Sequence, residues 1–148
     1  MGSRKCRILV VEDDADARSL LSEILQSEGY DVDLAENGAR ALERLKGEAY
    51  GIVLTDVRMP GIEGMDLLRA VRKSWPKLPV LLMTAFGDWE LYGEALREGA
   101  VDMIGKPFRR AELLKVLEHC LEGTNAGSPG PPAEAPGAKA DPPAVPRG

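Results

Sequence analysis

The sequence has little of what membrane, disulfide-rich and nucleic-acid-binding proteins need. It contains no apolar run near the roughly 18 residues that span a bilayer, and residues 1–6 lack an apolar signal core. Its two cysteines, Cys6 and Cys120, lack the CxxC spacing of a zinc or redox site. The net charge of -5 disfavours attraction to polyphosphate backbones. We therefore expect a cytoplasmic protein with reduced thiols, no membrane insertion and no direct nucleic acid binding.

The length and the distribution of proline predict one folded domain followed by a tail. A chain of 148 residues with 44% hydrophobic and 29% charged residues fits one globular domain. Residues 124–148 hold seven of the eleven prolines and no aromatic residue. Such a segment cannot bury enough apolar surface to offset the entropy of ordering. We expect a domain over residues 5–122 and a disordered tail over 123–148, either a natural terminus or a linker to a further domain.

Within the predicted domain, short apolar runs alternate with segments of helical periodicity. Strands are predicted at residues 7–11, 31–35, 51–55, 80–83 and 101–104. Gly29 is expected to end the first helix, Asn37 to cap the second, and Trp75-Pro76 to end the third. The fourth helix is expected to carry Trp89 and Tyr92, three residues apart. This alternation indicates βαβ units, and thus an α/β fold with a parallel sheet and helices on both faces.

Polar side chains lie at the ends of four of the predicted strands. They are Glu12 and Asp13 after the first strand, Asp56 after the third, Thr84 after the fourth and Lys106 after the fifth. Ligands of open parallel sheets bind at the carboxyl edge of the strands. The pattern therefore predicts that these five side chains converge on one acidic pocket.

Three carboxylates in one pocket favour a bound cation. At an effective dielectric of about 20, two carboxylates about 4 Å apart repel by about 4 kcal/mol, and a divalent ion offsets that repulsion. Mg²⁺ takes one or two carboxylates together with water and phosphoryl oxygens. The residue types thus favour Mg²⁺ over zinc.

Four stretches together resemble the receiver domain of bacterial two-component response regulators. They are Ile8-Leu-Val-Val-Glu-Asp-Asp14, Leu54-Thr-Asp-Val-Arg-Met-Pro-Gly-Ile-Glu-Gly64, Pro79-Val-Leu-Leu-Met-Thr-Ala85 and Gly105-Lys-Pro-Phe108. The resemblance covers about residues 5–122. It implies a flavodoxin-like (βα)5 doubly wound parallel sheet with strand order 2-1-3-4-5.

The resemblance also implies a function. Asp56 would accept a phosphoryl group from the phosphohistidine of a sensor histidine kinase or phosphotransfer protein, becoming an aspartyl phosphate. The chain would be a stoichiometric phosphoacceptor with self-catalysed phosphorylation and dephosphorylation, and not a conventional enzyme. Lys106 and Thr84 would each bind a phosphoryl oxygen. The Mg²⁺ ligands would be Asp13, Asp56 and the Arg58 carbonyl, with Glu12 acting largely through water.

The resemblance further implies how the protein would switch and which residues would affect the lifetime of the phosphoryl group. Phosphorylation would draw Thr84 inward and change the binding of a downstream output protein or domain, or form a homodimer. The family usually has an aromatic residue where this chain has Met103, so repacking would involve a flexible thioether. Our hypothesis is that Phe86, which with Arg58 flanks the path of water, slows loss of the phosphoryl group. The family holds the bond before Pro107 cis, an isomer that the sequence does not reveal.

Three other functions compete with the phosphoacceptor function, and the sequence argues against two of them. A haloacid dehalogenase-type phosphatase would carry its nucleophile on the first strand, and an FMN-binding flavodoxin would not place acids in its first loop. A phosphorylation-independent receiver-like scaffold or interaction module is the main alternative. Trp89 and Tyr92 either cover the sheet edge or form an aromatic docking patch.

Overall fold

The computed structural model describes residues 6–58, 64–85 and 89–125, which form a five-stranded sheet and its connecting helices. The strands are β1 (Arg7–Val11), β2 (Asp31–Ala35), β3 (Ile52–Asp56), β4 (Val80–Thr84) and β5 (Asp102–Gly105). The helices are α1 (Ala15–Ser27), α2 (Gly38–Gly47), α3 (Gly64–Ser74), α4 (Tyr92–Arg97) and α5 (Arg110–Asn125). The predicted tail beyond Asn125 and the hypothesis on Phe86 lie outside the described residues.

The sheet is parallel throughout, with the order β2-β1-β3-β4-β5, which confirms the predicted flavodoxin-like topology. Two strands, β3 and β5, begin and end one residue later than predicted, and β4 begins as predicted but ends one residue later. The ladder explains the shift, because Asp56 still pairs with Met83 and Thr84 with Gly105. Asp56 and Thr84 are therefore the last residues of their strands, and the sheet fixes their backbones.

The side chains of alternate strand residues are buried on opposite faces of the sheet. Leu9, Val11 and Val53 belong to one cluster with residues of α2, α3 and α4. Their neighbours Ile8, Val10, Ile52 and Leu54 point to the opposite face and are fully buried. On α1, which contacts β1 and β2, Leu21 and Leu25 are buried. Apolar strands buried on both sides explain why the polar residues of the sheet collect at its edge.

Short-range hydrogen bonds fix the helix ends close to the predicted positions. Asp14 caps α1, since its Oδ2 accepts the Ala17 N–H at 2.8 Å. Asn37 caps α2 in the same way, accepting the Arg40 N–H at 2.8 Å. Gly29 ends α1 with a φ of 97°, a conformation that favours glycine. The predicted caps at Asn37 and Gly29 are confirmed.

The fourth helical segment differs from the prediction. Residues Trp89–Leu91 form a 3₁₀ turn, and α4 is only six residues long. The prediction that Trp89 and Tyr92 share one α-helix is therefore wrong. Two features weaken this helix: Leu91 provides no side-chain cap, and Gly93 costs about 1 kcal/mol relative to Ala. The Tyr92 hydroxyl lies 3.5 Å from Asp102 Oδ1, beside the edge strand β5.

The chain divides into two compact units, Met1–Leu114 and Lys115–Gly148. The first contains the sheet, α1 to α4 and all the predicted site residues. In the second, the described residues are helical as far as Asn125. None of the described helices is long and apolar enough to cross a membrane. The domain boundary at residue 122 stays a prediction.

Candidate functional site

Three acidic side chains from β1 and β3 meet at the carboxyl edge of the sheet. Glu12 and Asp13 directly follow β1, Asp56 ends β3, and one carboxylate oxygen from each lies within 4.8 Å of the others. Glu12 is 2% exposed and Asp56 is 7% exposed, whereas Asp13 faces solvent. The cluster therefore has a buried floor and an open side through which a ligand can enter.

Lys106 joins the two buried acids. Its Nζ lies 2.7 Å from Asp56 Oδ1 and 2.8 Å from Glu12 Oε1. The lysine follows β5, and the peptide bond between it and Pro107 is cis. One ammonium thus offsets part of the repulsion between two carboxylates, and the structure brings together Glu12, Asp13, Asp56 and Lys106 as the sequence pattern predicted.

The protonation of the buried acids depends on their shared environment. Burial, together with hydrogen bonding to Glu12, raises the pKa of Asp56 to about 7 although Lys106 opposes the shift. Burial also acts to raise the pKa of Glu12, but hydrogen bonds to Asp56 and Lys106 outweigh it and lower that pKa. For Lys106, desolvation is outweighed by its two carboxylate partners, so its pKa is raised. Burial beside Glu12 therefore favours the protonated form of Asp56 over the ionised form.

Thr84 lies at the same edge but does not contact the carboxylates through its hydroxyl. The side chain is buried, and its Oγ1 donates to the Ala85 carbonyl at 3.3 Å. Its own carbonyl accepts the Lys106 N–H at 2.7 Å. A hydroxyl with such a long hydrogen bond can be redirected at little cost, whereas the backbone contact ties the loop after β4 to the loop after β5.

The acidic loop after β1 is held by its own hydrogen bonds. The Glu12 N–H continues the sheet ladder by donating to the Ala35 carbonyl at 3.0 Å. The Glu12 carboxylate accepts the Asp14 N–H through Oε2 at 3.1 Å. Because Oε1 binds Lys106, both oxygens of Glu12 are engaged, and the orientation of the carboxylate depends on Lys106 and on the backbone of the same loop.

The donor set fits a hard divalent cation. It consists of one carboxylate from each of three acids, of which Glu12 and Asp56 are buried. The ammonium of Lys106 offsets only part of their charge, so the cluster keeps an excess of negative charge. Oxygen ligands of this kind suit Mg²⁺ and not the softer metals. Arg58 is exposed two residues after Asp56, and ligation by its carbonyl stays a prediction. Met103 is 5% exposed within the core cluster, so any repacking at that position occurs inside the protein.

Gly64 contributes to the site through its backbone, a role that no sequence pattern assigned to it. A Cβ at this position would lie 2.1 Å from the Asp56 carbonyl oxygen and 2.8 Å from the Val57 Cα. The Gly64 N–H also donates to the Val57 carbonyl at 2.8 Å. The first residue of α3 thus packs directly on the backbone that carries Asp56. The available clue was a glycine opening a helix, where most other residues are better helix formers.

The fold and the acidic edge define an α/β domain of the flavodoxin-like class, and comparison with known proteins identifies the family. The family model described as the response regulator receiver domain matches residues 8–118, and the chain belongs to this family. It is 38% identical over 117 residues to the transcriptional regulatory protein FixJ of Bradyrhizobium diazoefficiens, covering 79% of this chain and 57% of FixJ. It is 40% identical over 122 residues to the response regulator protein FleR of Pseudomonas aeruginosa, covering 82% of this chain and 26% of FleR.

Solved structures show the same relationship. The receiver domain of NtrX from Brucella abortus matches with a TM-score of 0.76 and 36% identity, covering 79% of this chain and 99% of that domain. A response regulator receiver domain protein from Clostridium thermocellum matches with a TM-score of 0.79 and 26% identity, covering 82% and 98%. The chain therefore corresponds to nearly the whole of isolated receiver domains but to only part of FixJ and FleR.

Proposed function

We propose that this chain is a phosphoacceptor in which Asp56 receives a phosphoryl group from a phosphohistidine of a sensor histidine kinase or phosphotransfer protein. The observation that carries the proposal is the contact of Lys106 with both Asp56 and Glu12 beside the exposed Asp13. An acidic nucleophile, a paired ammonium and a cluster of oxygen ligands are the groups that phosphoryl transfer to an aspartate requires.

Asp56 acts as the nucleophile in the proposed reaction. A carboxylate oxygen forms the new bond to phosphorus while the bond from phosphorus to the donor imidazole nitrogen breaks and its electron pair stays on that nitrogen. Asp56 must be ionised for this attack, although its pKa without a cation is raised to about 7. When bound among Glu12, Asp13 and Asp56, Mg²⁺ would supply the positive charge that favours the ionised carboxylate and offsets repulsion of the phosphoryl oxygens.

Lys106 and Thr84 would stabilise the charge that develops on the transferred group. The Lys106 ammonium can exchange its contact with Asp56 for one with a phosphoryl oxygen while keeping its bond to Glu12. Thr84 can give up its 3.3 Å hydrogen bond to Ala85 and donate to a second phosphoryl oxygen. Both residues lie at the carboxyl edge of the sheet beside Asp56, and this position supports the proposed roles.

The same movements would produce the output. A reoriented Thr84 displaces the loop after β4, and Met103, buried in the neighbouring strand, lies where repacking would follow. The changed surface would then alter binding to a downstream output protein or domain, or to a second copy of the chain. By this mechanism the protein is a regulator that holds one phosphoryl group, and not a catalyst of repeated turnover.

The direct test is exposure to acetyl phosphate with Mg²⁺, followed by intact-mass measurement. We expect one added phosphoryl group on the wild-type chain and none on Asp56→Asn. Asp16→Asn, which removes an exposed acid from the first turn of α1, is the matched control and should be phosphorylated like the wild type. EDTA should suppress the adduct in both phosphorylatable proteins.

Two results would contradict the proposal. Persistence of the adduct in Asp56→Asn would place the acceptor elsewhere. Absence of any adduct with acetyl phosphate and with a phosphohistidine donor, despite measurable Mg²⁺ binding, would favour the phosphorylation-independent scaffold.

A further inference from the structure

One arginine side chain binds the backbone carbonyls of Glu12 and Asp13, the two residues that follow β1. Arg18 lies in the first turns of α1, and its Nη1 is 2.8 Å from the Glu12 carbonyl oxygen and 3.2 Å from the Asp13 carbonyl oxygen. The Arg18 N–H also donates to the Asp14 carbonyl at 2.9 Å. The same residue thus contacts every carbonyl between the end of β1 and the start of α1.

These carbonyls need a partner because the chain leaves the sheet at this point. The Glu12 N–H still bonds to Ala35, but after Glu12 the chain turns into the cap of α1. A terminal guanidinium nitrogen carries two hydrogens, one for each carbonyl, in a fixed planar arrangement. Fixing two successive carbonyls fixes the peptide planes on either side of Asp13, and those planes set the directions in which the Glu12 and Asp13 side chains leave the backbone.

We propose that Arg18 is a positioning residue that orients Glu12 and Asp13 as cation ligands without touching the cation or the phosphoryl group. The inference rests on the proposed Mg²⁺-dependent function and goes beyond it by assigning a role to a side chain outside the acidic cluster. Groups that orient metal ligands typically contribute 10- to 100-fold to metal affinity. Asp13 is exposed and lies outside β1, so the sheet does not hold its backbone and it depends most on the support of Arg18.

The sign of the effect separates positioning from simple electrostatics. A cation near a Mg²⁺ site repels the metal, so removal of the Arg18 charge should strengthen Mg²⁺ binding if charge alone mattered. A positioning role predicts the reverse, because freed carbonyls let the loop rotate and disperse the carboxylates. A single measurement of affinity therefore distinguishes the two effects by direction.

The experiment is isothermal titration of Mg²⁺ into the full chain. We expect Arg18→Gln to bind Mg²⁺ at least about 10-fold more weakly than the wild type. Arg18→Lys, which keeps a cationic donor on a shorter side chain, should fall between the two. Arg40→Gln removes an exposed arginine that pairs with Glu36 and Glu43, and it should bind Mg²⁺ with wild-type affinity.

Phosphorylation kinetics provide the readout that a loss of overall structure would not give. For Arg18→Gln, the Mg²⁺ concentration needed for half-maximal phosphorylation by acetyl phosphate should rise about 10-fold, while the rate at saturating Mg²⁺ stays close to that of the wild type. A general structural defect would instead lower the rate at saturation.

The outcomes are separable. Equal or tighter Mg²⁺ binding by Arg18→Gln, with a normal wild type, would overturn the inference and leave the proposed function intact. If Arg18→Gln fails to fold, Arg18→Lys decides: weaker binding supports the inference and wild-type binding overturns it. Failure of the wild type itself to bind Mg²⁺ would overturn the proposed function and the inference together.

Discussion

Replacing the proposed phosphoacceptor by its amide should stabilise the metal-free protein. Asn is nearly isosteric with Asp, its carbonyl can accept the Lys106 hydrogen bond, and its amide can donate to Glu12. The substitution therefore keeps the contacts of Asp56 and removes only its ionisation. The cost of burying that charge beside Glu12 should disappear, so Asp56→Asn should be more stable than the wild type near neutral pH and above.

The shift in the Asp56 pKa gives the magnitude. The carboxyl has a usual pKa of 3.8 and a folded-state pKa of about 7. Between these values the folded protein binds more protons than the unfolded chain, so stability falls as pH rises through this window. Each pKa unit corresponds to about 1.4 kcal/mol, which gives an upper limit of about 4 kcal/mol above the window. Screening by solvent at the sheet edge reduces the expected gain to about 2 kcal/mol.

Thermal and urea unfolding in EDTA would measure this difference. A gain of about 2 kcal/mol corresponds to a rise in Tm of roughly 6–10 °C for a domain of this size. The gain should be largest at about pH 8 and should shrink at about pH 5, where Asp56 is protonated in the folded protein. Glu23→Gln removes an exposed acid of α1 and should leave stability nearly unchanged. An Asp56→Asn protein less stable than the wild type at the higher pH would refute the reasoning.

Three further predictions concern the surroundings of the site and the helix ends. Gly64→Ala should lower stability by about 1–3 kcal/mol and slow phosphorylation, because its Cβ would lie 2.1 Å from the Asp56 carbonyl oxygen; urea unfolding and acetyl phosphate kinetics would test this. Gly47→Ala, whose Cβ meets nothing within 4 Å, should be neutral or stabilising by up to about 1 kcal/mol, and an equal loss in both variants would contradict the contact. At a concentration about 100 times its Kd, Mg²⁺ should stabilise the wild type by about 2.7 kcal/mol in thermal unfolding, and Asp13→Asn should lose most of that gain; an unchanged Mg²⁺ response would remove Asp13 from the ligand set. Asn37→Ala should cost about 1 kcal/mol in urea unfolding without changing phosphorylation, and a phosphorylation defect would show that this cap acts on the site.

The strands and most helix ends were predictable because they depend on local chemistry. Apolar runs bounded by polar residues marked all five strands to within one residue, and Asn37 and Gly29 have the side chain and the backbone freedom that their caps require. The convergence of Glu12, Asp56 and Lys106 was also accessible, because parallel strands end at a common edge. The strand order itself came from resemblance to a family, since alternation alone allows several orders.

What the sequence did not reveal depends on contacts between distant residues. A glycine that opens a helix hints at a close contact, but the sequence does not show that the partner of Gly64 is the Asp56 carbonyl. Arg18 resembles any other charged residue in the first turns of a helix. The 3₁₀ turn at Trp89–Leu91 lies where the apolar stripe is short and favours the α-helix only weakly. Gly93 and the lack of a side-chain cap at Leu91 both disfavour that helix. Periodicity identifies which face a helix buries, but it does not show where a weak helix changes its hydrogen-bond pattern.

The hydrogen bond from the Lys106 N–H to the Thr84 carbonyl, 2.7 Å long, makes neighbours in space of two residues that are far apart along the chain. The bond joins the two backbones, so the Thr84 hydroxyl and the Lys106 ammonium can each turn about their own side-chain torsions without breaking it. A displacement of the backbone at either residue would instead stretch the bond or move the other residue as well. The connection therefore transmits backbone movement between the ends of β4 and β5, but it does not transmit the rotation of a single side chain.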